Sequence, residues 1–176
     1  MGRDHLSVGI AIRRIEQGEG RRLRDVRLRA LRDSPGAFSS TYEEFENRPL
    51  SEWESLATAR STGSQETTFV AESPTGFVGM VRGCWSDDHA GVVELTSMWV
   101  EPSARGTGVG VRLIEAVVTW ARAAGADEVD LWVVEENDPA IALYQRFGFT
   151  TTSDREPYPN HPCRDEVRMT LPIARA

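Results

Sequence analysis

The chain has 176 residues, 40% hydrophobic and 27% charged, enough for one ordinary domain that buries roughly 70% of its unfolded surface. No apolar run approaches the ~20 residues of a membrane span, the first residues lack a signal-peptide core, and two cysteines, Cys84 and Cys163, are too few for a disulfide framework or a cysteine-rich zinc site. Twenty basic against 27 acidic residues give a net charge of -7, which argues against a nucleic-acid footprint and would welcome a cationic guest; all twenty are Arg, as a coding bias would produce.

In chain order, SVGIAIRRI (7 to 15) alternates Val8, Ile10 and Ile12 and reads as a strand. GEGRRLRDVRLRALRDS then sets Leu23, Val26, Leu28 and Leu31 at helical spacing until SPG stops it. AFSSTYEEFENRPL reads as a loop, followed by a short helix near Glu52 to Ala59 with Pro49 before it and Ser51 as the expected cap. Strands at 67 to 73, 76 to 85 and 92 to 100, joined by SPTG and SDDHAG, should form an antiparallel meander. A helix from Gly108 to Ala124 and a buried strand at 128 to 134 complete a βαβ unit whose strands should run parallel. A helix then starts at Asn137 or Asp138 and closes at Gly148, and the strands FTTTS and DEVRMTLPI flank the loop DREPYPNHPCR. Residues 1–176 therefore read as one α/β domain with a mixed, mostly antiparallel sheet of six or seven strands and helices on both faces, cytoplasmic by default.

Between strand and helix lies RGTGVG, residues 105 to 110. It lacks the third glycine of a dinucleotide fingerprint, since Val111 stands there, and a chain without Lys cannot supply a G-x-x-x-x-G-K-[ST] loop. Two readings survive: a cradle of N-H groups at a helix N-terminus for an anion such as a pyrophosphate, or a tight turn and nothing more.

V-x-P-x-x-R-G-x-G-V-G resembles the coenzyme A pyrophosphate loop of the GNAT acyltransferase superfamily, and N-D-P-A-I-A-L-Y-Q-R-F-G-F (137 to 149) resembles that superfamily's next motif at the expected separation. LRDSPGAFSSTYEE and REPYPNHPCRDEVRM are similar to a bacterial branch with R-D-x-P-x-A-F. The resemblance implies an acetyl-CoA-dependent N-acetyltransferase acting directly on a primary amine of a small molecule, with no metal, nucleic acid or membrane partner. Protein or peptide acetylation and a non-catalytic acyl-CoA sensor are the alternatives, and a homodimer, common in that superfamily, is left open by the sequence.

Carried onto this chain, the resemblance gives the coenzyme to Met98, Trp99 and Val100 on the strand, to Arg105, Gly106, Thr107, Gly108, Val109, Gly110 and Val111 in the loop, and to Asn137, Ala140 and Tyr144. Tyr144 would be the general acid that reprotonates the thiolate, or else part of a core stripe with Ala140 and Phe147. Glu94 would take the amine proton, or be a paired edge residue; Asn137 would touch the coenzyme or cap its helix. Phe38, Tyr42, Glu43, Glu94 and His161 would border the acceptor, against a solvated-loop reading for Tyr42 to Glu44 and a structural one for His161. His89 reads as an exposed turn residue.

Overall fold

The structure, a computed structural model, describes residues 9–159, 161 and 163–173; residues 7 and 8 of the first expected strand lie outside them. Seven strands form one sheet in the order β1-β2-β3-β4-β5-β7-β6. They are β1 (Ala11–Arg14), β2 (Glu66–Ser73), β3 (Gly76–Trp85), β4 (Val92–Val100), β5 (Glu128–Val134), β6 (Thr150–Pro157) and β7 (Asp165–Pro172). Every neighbouring pair is antiparallel except β4 with β5. The helices are α1 (Gly20–Asp33), α2 (Tyr42–Glu46), α3 (Leu50–Thr62), α4 (Val109–Ala123) and α5 (Asp138–Phe147). Both the meander and the parallel crossover stand where the hydrophobic pattern puts them.

Period-two alternation divides the sheet residues between two cores. Val93 and Leu95 of β4 and Val129, Leu131 and Val133 of β5 turn to one face, where the α4 stripe Leu113, Ile114, Val117 and Ala121 packs on them. Val70, Met80 and Trp99 turn to the other face, against Leu23, Val26, Ala30 and Leu31 of α1 and Trp53 and Ala57 of α3. Each such side chain is worth about 1.5–3 kcal/mol of removal from water, so the two stripes fix which face each helix covers. Arg27 shares the buried stripe of α1, a polar intruder in an apolar face.

Three local expectations need correction. Residues 42 to 44 are not loop: Thr41 accepts a hydrogen bond from the Glu44 N-H at 3.3 Å while the Glu44 carboxylate accepts the Thr41 N-H at 2.7 Å, a capping box that holds the short helix α2. Ser51 caps nothing, because α3 begins one residue earlier and Pro49 is the residue before it. The strand beginning at FTTTS runs on to Pro157, since pairing with β7 resumes at Arg155 beyond an irregularity.

Candidate active site

Two departures from regular pairing open the sheet at its centre. The parallel ladder joins Val92, Val93 and Glu94 only to Glu128, Val129 and Asp130, so β4 and β5 diverge beyond that point. On its other side β4 carries an extra residue against β3, where the register passes from Arg82↔Thr96 to Met80↔Trp99. Ser97 sits in this bulge with φ +54°, a left-handed backbone that costs a non-glycine residue about 1 kcal/mol or more and clusters at functional sites.

The gap between the strands leads into a cleft of about 620 Å³. Its walls are Leu95 to Val100 of β4, Trp132 to Val134 of β5, and Asn137, Ala140, Leu143 and Tyr144 from α5. Phe38 and its neighbours after α1 form one further part of the wall, and Arg105, Gly106, Gly108, Gly110 and Val111 another. The glycine end is backbone-built. Gly106 and Gly108 have φ of +76° and +86°, and a Cβ on Gly108 would meet nothing within 4 Å. Gly108 also stands at the N-cap of α4, which no described side chain caps, so the first-turn N-H groups and the positive end of the helix dipole remain available to an anion. Gly110 serves packing instead: a Cβ there would stand 3.2 Å from Leu143, so its absence lets α5 lie against α4.

Several expected coenzyme residues meet here and others do not. Met98, Trp99, Val100, Arg105, Gly106, Gly108, Gly110, Val111, Asn137, Ala140 and Tyr144 line the cleft, whereas Thr107 and Val109 are not among its walls. Val109 is buried in the α4 core, and the Thr107 hydroxyl donates to the Ala104 carbonyl at 2.6 Å. Arg105 is tied down: its Nε donates to the Val100 carbonyl at 2.9 Å and its guanidinium pairs with Asp33. Asp33 also accepts the Trp99 Nε1-H at 3.0 Å, and that bond, ahead of the Ser34 and Arg105 contacts, holds its carboxyl below the usual range. Asn137 caps α5, accepting the Ala140 N-H at 3.4 Å. Tyr144 lines the cleft edge-on to Phe149, ring centroids 5.7 Å apart, and burial pushes its hydroxyl well above the ordinary tyrosine range.

Of the expected acceptor residues, Phe38 alone is a cleft wall. Its carbonyl accepts the Tyr158 hydroxyl, and His161, itself exposed, stacks on Tyr158 at 5.4 Å and 9°. The loops after α1 and after β6 are thereby joined across the sheet. Tyr42 stacks with and hydrogen-bonds Arg32, and Glu43 faces solvent on α2.

Glu94 lies beside the cleft, at the last paired position before the strands part, next to Asp130 on β5. Burial raises its carboxyl, and Asp130 adds to the rise, with Asp88 and Asp87 contributing and Arg82 opposing. Asp130 is sealed at 2% exposure, with one oxygen held by Arg168 Nε at 2.7 Å and the other without a partner. Burial likewise raises Glu166 on β7, with Glu156 and then Glu94 adding to it. Ser97, Trp132, Asp130 and Tyr158 were missed at the sequence level. A charge inside the apolar run EVDLWVV was the available signal for Asp130, and an aromatic between two prolines for Tyr158.

A parallel pair that splays beside an uncapped, glycine-bearing helix N-terminus is the arrangement on which the comparison with known proteins turns. Residues 28–149 match the model of the acetyltransferase (GNAT) family, and the chain belongs to that family. A mycothiol acetyltransferase of Thermobispora bispora is 31% identical over 153 residues, 82% of this chain and 48% of that protein. An uncharacterised N-acetyltransferase of Methanocaldococcus jannaschii is 38% identical over 85 residues, 46% of this chain and 38% of that one. The chain thus spans about half or less of these curated relatives. An acetyltransferase of the GNAT family from Streptococcus pneumoniae shares the fold at TM-score 0.80 and 19% identity, covering 94% of this chain and 99% of that one. Among the described residues no group of three or more His, Cys, Asp or Glu could hold a metal, and no helix is long and apolar enough to cross a membrane.

Proposed function

We propose that the protein transfers an acetyl group from acetyl-CoA to the primary amine of a small molecule, both substrates being bound together. The observation that carries this reading is the gap between β4 and β5 leading to the α4 N-terminus: it has an uncapped helix start among its walls, an apolar middle, and the Glu94 carboxylate beside it where the strands part. A Salmonella typhimurium protein, yncA, 18% identical with TM-score 0.76 over 95% of each chain, was solved with its cofactor acetyl-CoA, which supports the choice of guest.

Each end has its task. The pyrophosphate lies against the N-H groups that begin α4, where Gly106 and Gly108 let it reach the backbone. The β4 backbone beside the Ser97 bulge orients the thioester, and holding it against the amine in near-attack geometry supplies several kcal/mol of the barrier reduction. The amine nitrogen bonds to the acyl carbon, the carbon-sulfur bond breaks, and the leaving thiolate takes the Tyr144 proton. Burial suits Tyr144 to this work by keeping it protonated until then. The proton lost by the amine passes to Glu94, whose raised carboxyl is a better base near neutral pH than an ordinary glutamate.

Thiol release from acetyl-CoA across a panel of amines and peptides tests the reading. Turnover with at least one small amine is expected, and Tyr144→Phe should lower kcat by about 10²-fold or more while leaving the acetyl-CoA Kd within a factor of about two. Tight acetyl-CoA binding with no turnover on any acceptor would instead mark a sensor, and turnover confined to peptides would move the reading to protein acetylation.

A further inference from the structure

The side of β2, β3 and β4 that faces α1 and α3 carries two polar rows above the apolar row of Val70, Met80 and Trp99. Thr68, Arg82 and Thr96 align across the strands in the first, and Glu66, Cys84, Glu94 and Asp130 in the second. Thr96 is also a wall of the cleft. The hydroxyls of Thr68 and Thr96 are sealed from solvent and have no hydrogen-bond partner. Two atoms from the helices of the same core share that condition: Nε1 of Trp53 on α3 and Nη1 of Arg27 on α1.

Arg27 is the most costly of these. It is 7% exposed and, among the described residues, makes no ion pair or hydrogen bond. Its guanidinium lies 4.7 Å from the ring centroid of Phe38 and 5.3 Å from that of Phe45. Its charged neighbours are cations, Arg60, Arg48 and Arg82, and Glu66 is already taken by Arg60 at 3.0 Å and Arg82 at 2.8 Å. Burial, reinforced by those cations, pushes the Arg27 pKa down to about 10, so it still carries its charge at neutral pH. Stacking on aromatic rings offsets part of the cost of burying a cation, yet gives its N-H groups no acceptor. Arg and Trp can only donate, and a hydroxyl can donate as well. Unmet donors gathered in one core, with an uncompensated positive charge among them, are complementary to a carboxylate.

Position ties this cluster to the acceptor. Phe38 bears on Arg27 and on the cleft, Thr96 belongs to both the polar row and the cleft wall, and Glu94 stands in the row next to Thr96. We propose that the acceptor is an amino-carboxylate whose amine is presented to Glu94 while its carboxylate takes up the unmet donors around Arg27, with Thr96 at the entrance. This inference rests on the acetyltransfer reading and narrows its acceptor from a purely cationic amine, which the net charge favours, to a zwitterion.

The test compares each proteinogenic amino acid with its decarboxylated amine and its methyl ester, by thiol release and by calorimetric binding to the CoA-loaded protein. At least one free amino acid should exceed its amine and ester in kcat/KM on the order of ten- to hundred-fold, as a charge-assisted contact is worth. Arg27→Met should collapse that ratio towards one, and Arg27→Lys should restore part of it. Thermal unfolding separates a structural role, because removing an unpaired buried charge leaves Tm unchanged or higher, whereas losing a clamp on Phe38 and Phe45 lowers it. A wild-type preference for amines or esters, or an unchanged ratio in Arg27→Met, overturns the proposal while leaving acetyltransfer intact. Calorimetric binding of an amino acid that Arg27→Met abolishes, with no thiol released from any acceptor, supports the carboxylate site and overturns acetyltransfer.

Discussion

The two ends of the cleft are built from different materials. At the proposed coenzyme end the candidate anion site is backbone, Gly106, Gly108 and the start of α4, and the nearby charges Arg105 and Asp33 are spent on each other. At the proposed acceptor end the chemistry is in side chains: Glu94 beside a sealed Asp130, Arg168 pairing with Asp130 at 2.7 Å, and Arg27 with no counter-charge. A backbone cradle suits a ligand that does not vary, because N-H groups cannot be exchanged by mutation. Side chains suit a guest whose identity can change while the fold is kept.

Substitutions should therefore separate the two ends. The largest effect is expected from Glu94→Gln, which should lower kcat/KM about 10²- to 10³-fold with the acetyl-CoA Kd unmoved, by steady-state kinetics and calorimetry. A weaker version of the same test is Asp130→Asn. The base must be ionised to act, so activity falls as pH drops through the raised Glu94 pKa; burial sets most of that rise and Asp130 adds to it. Neutralising Asp130 should move the acidic limb of the kcat/KM profile to lower pH, while Arg82, Asp87, Asp88 and Glu166 still face the same carboxyl. An unmoved limb in Asp130→Asn, with the limb lost in Glu94→Gln, would show that the pair is not coupled. Smallest is Tyr158→Phe, which removes the hydroxyl bonded to the Phe38 carbonyl. It should cost about 1 kcal/mol in urea unfolding and raise the acceptor KM a few-fold, again without effect on coenzyme affinity.

The same contrast explains what could be read without the fold. Every strand and the βαβ crossover follow from alternation and helical spacing, and the proposed coenzyme loop from alternating glycines between a strand and a helix, because those signals are local. The loop resemblance gives Thr107 and Val109 to the coenzyme as part of a continuous run of N-H groups; helical geometry turns the Val109 side chain into the core. At the acceptor end the determinants come from elements far apart in the chain: Arg27 on α1, Arg82 on β3, Glu94 on β4, Asp130 on β5 and Arg168 on β7. No spacing rule joins them. The splay of β4 from β5, implied by the family resemblance, has no local signal for the same reason, since it depends on a ladder that stops at Glu94 and on a bulge at Ser97, a residue with no special preference for positive φ. The capping box at Thr41 and Glu44 was legible and passed over, because the polar segment around it read as loop.

The start of α4 is the proposed seat of the coenzyme's pyrophosphate. Gly108 and Gly125 have φ of +86° and +85°, and a Cβ on either meets nothing within 4 Å, so a valine at each brings similar backbone strain, about 1–3 kcal/mol. They differ in place: Gly108 faces the cleft at the beginning of α4, and Gly125 follows its other end. Calorimetry with acetyl-CoA should find Gly108→Val weakened on the order of 10²-fold and Gly125→Val within about two-fold of the wild type. Equal affinities in the two variants would contradict the cradle and leave RGTGVG a turn between strand and helix.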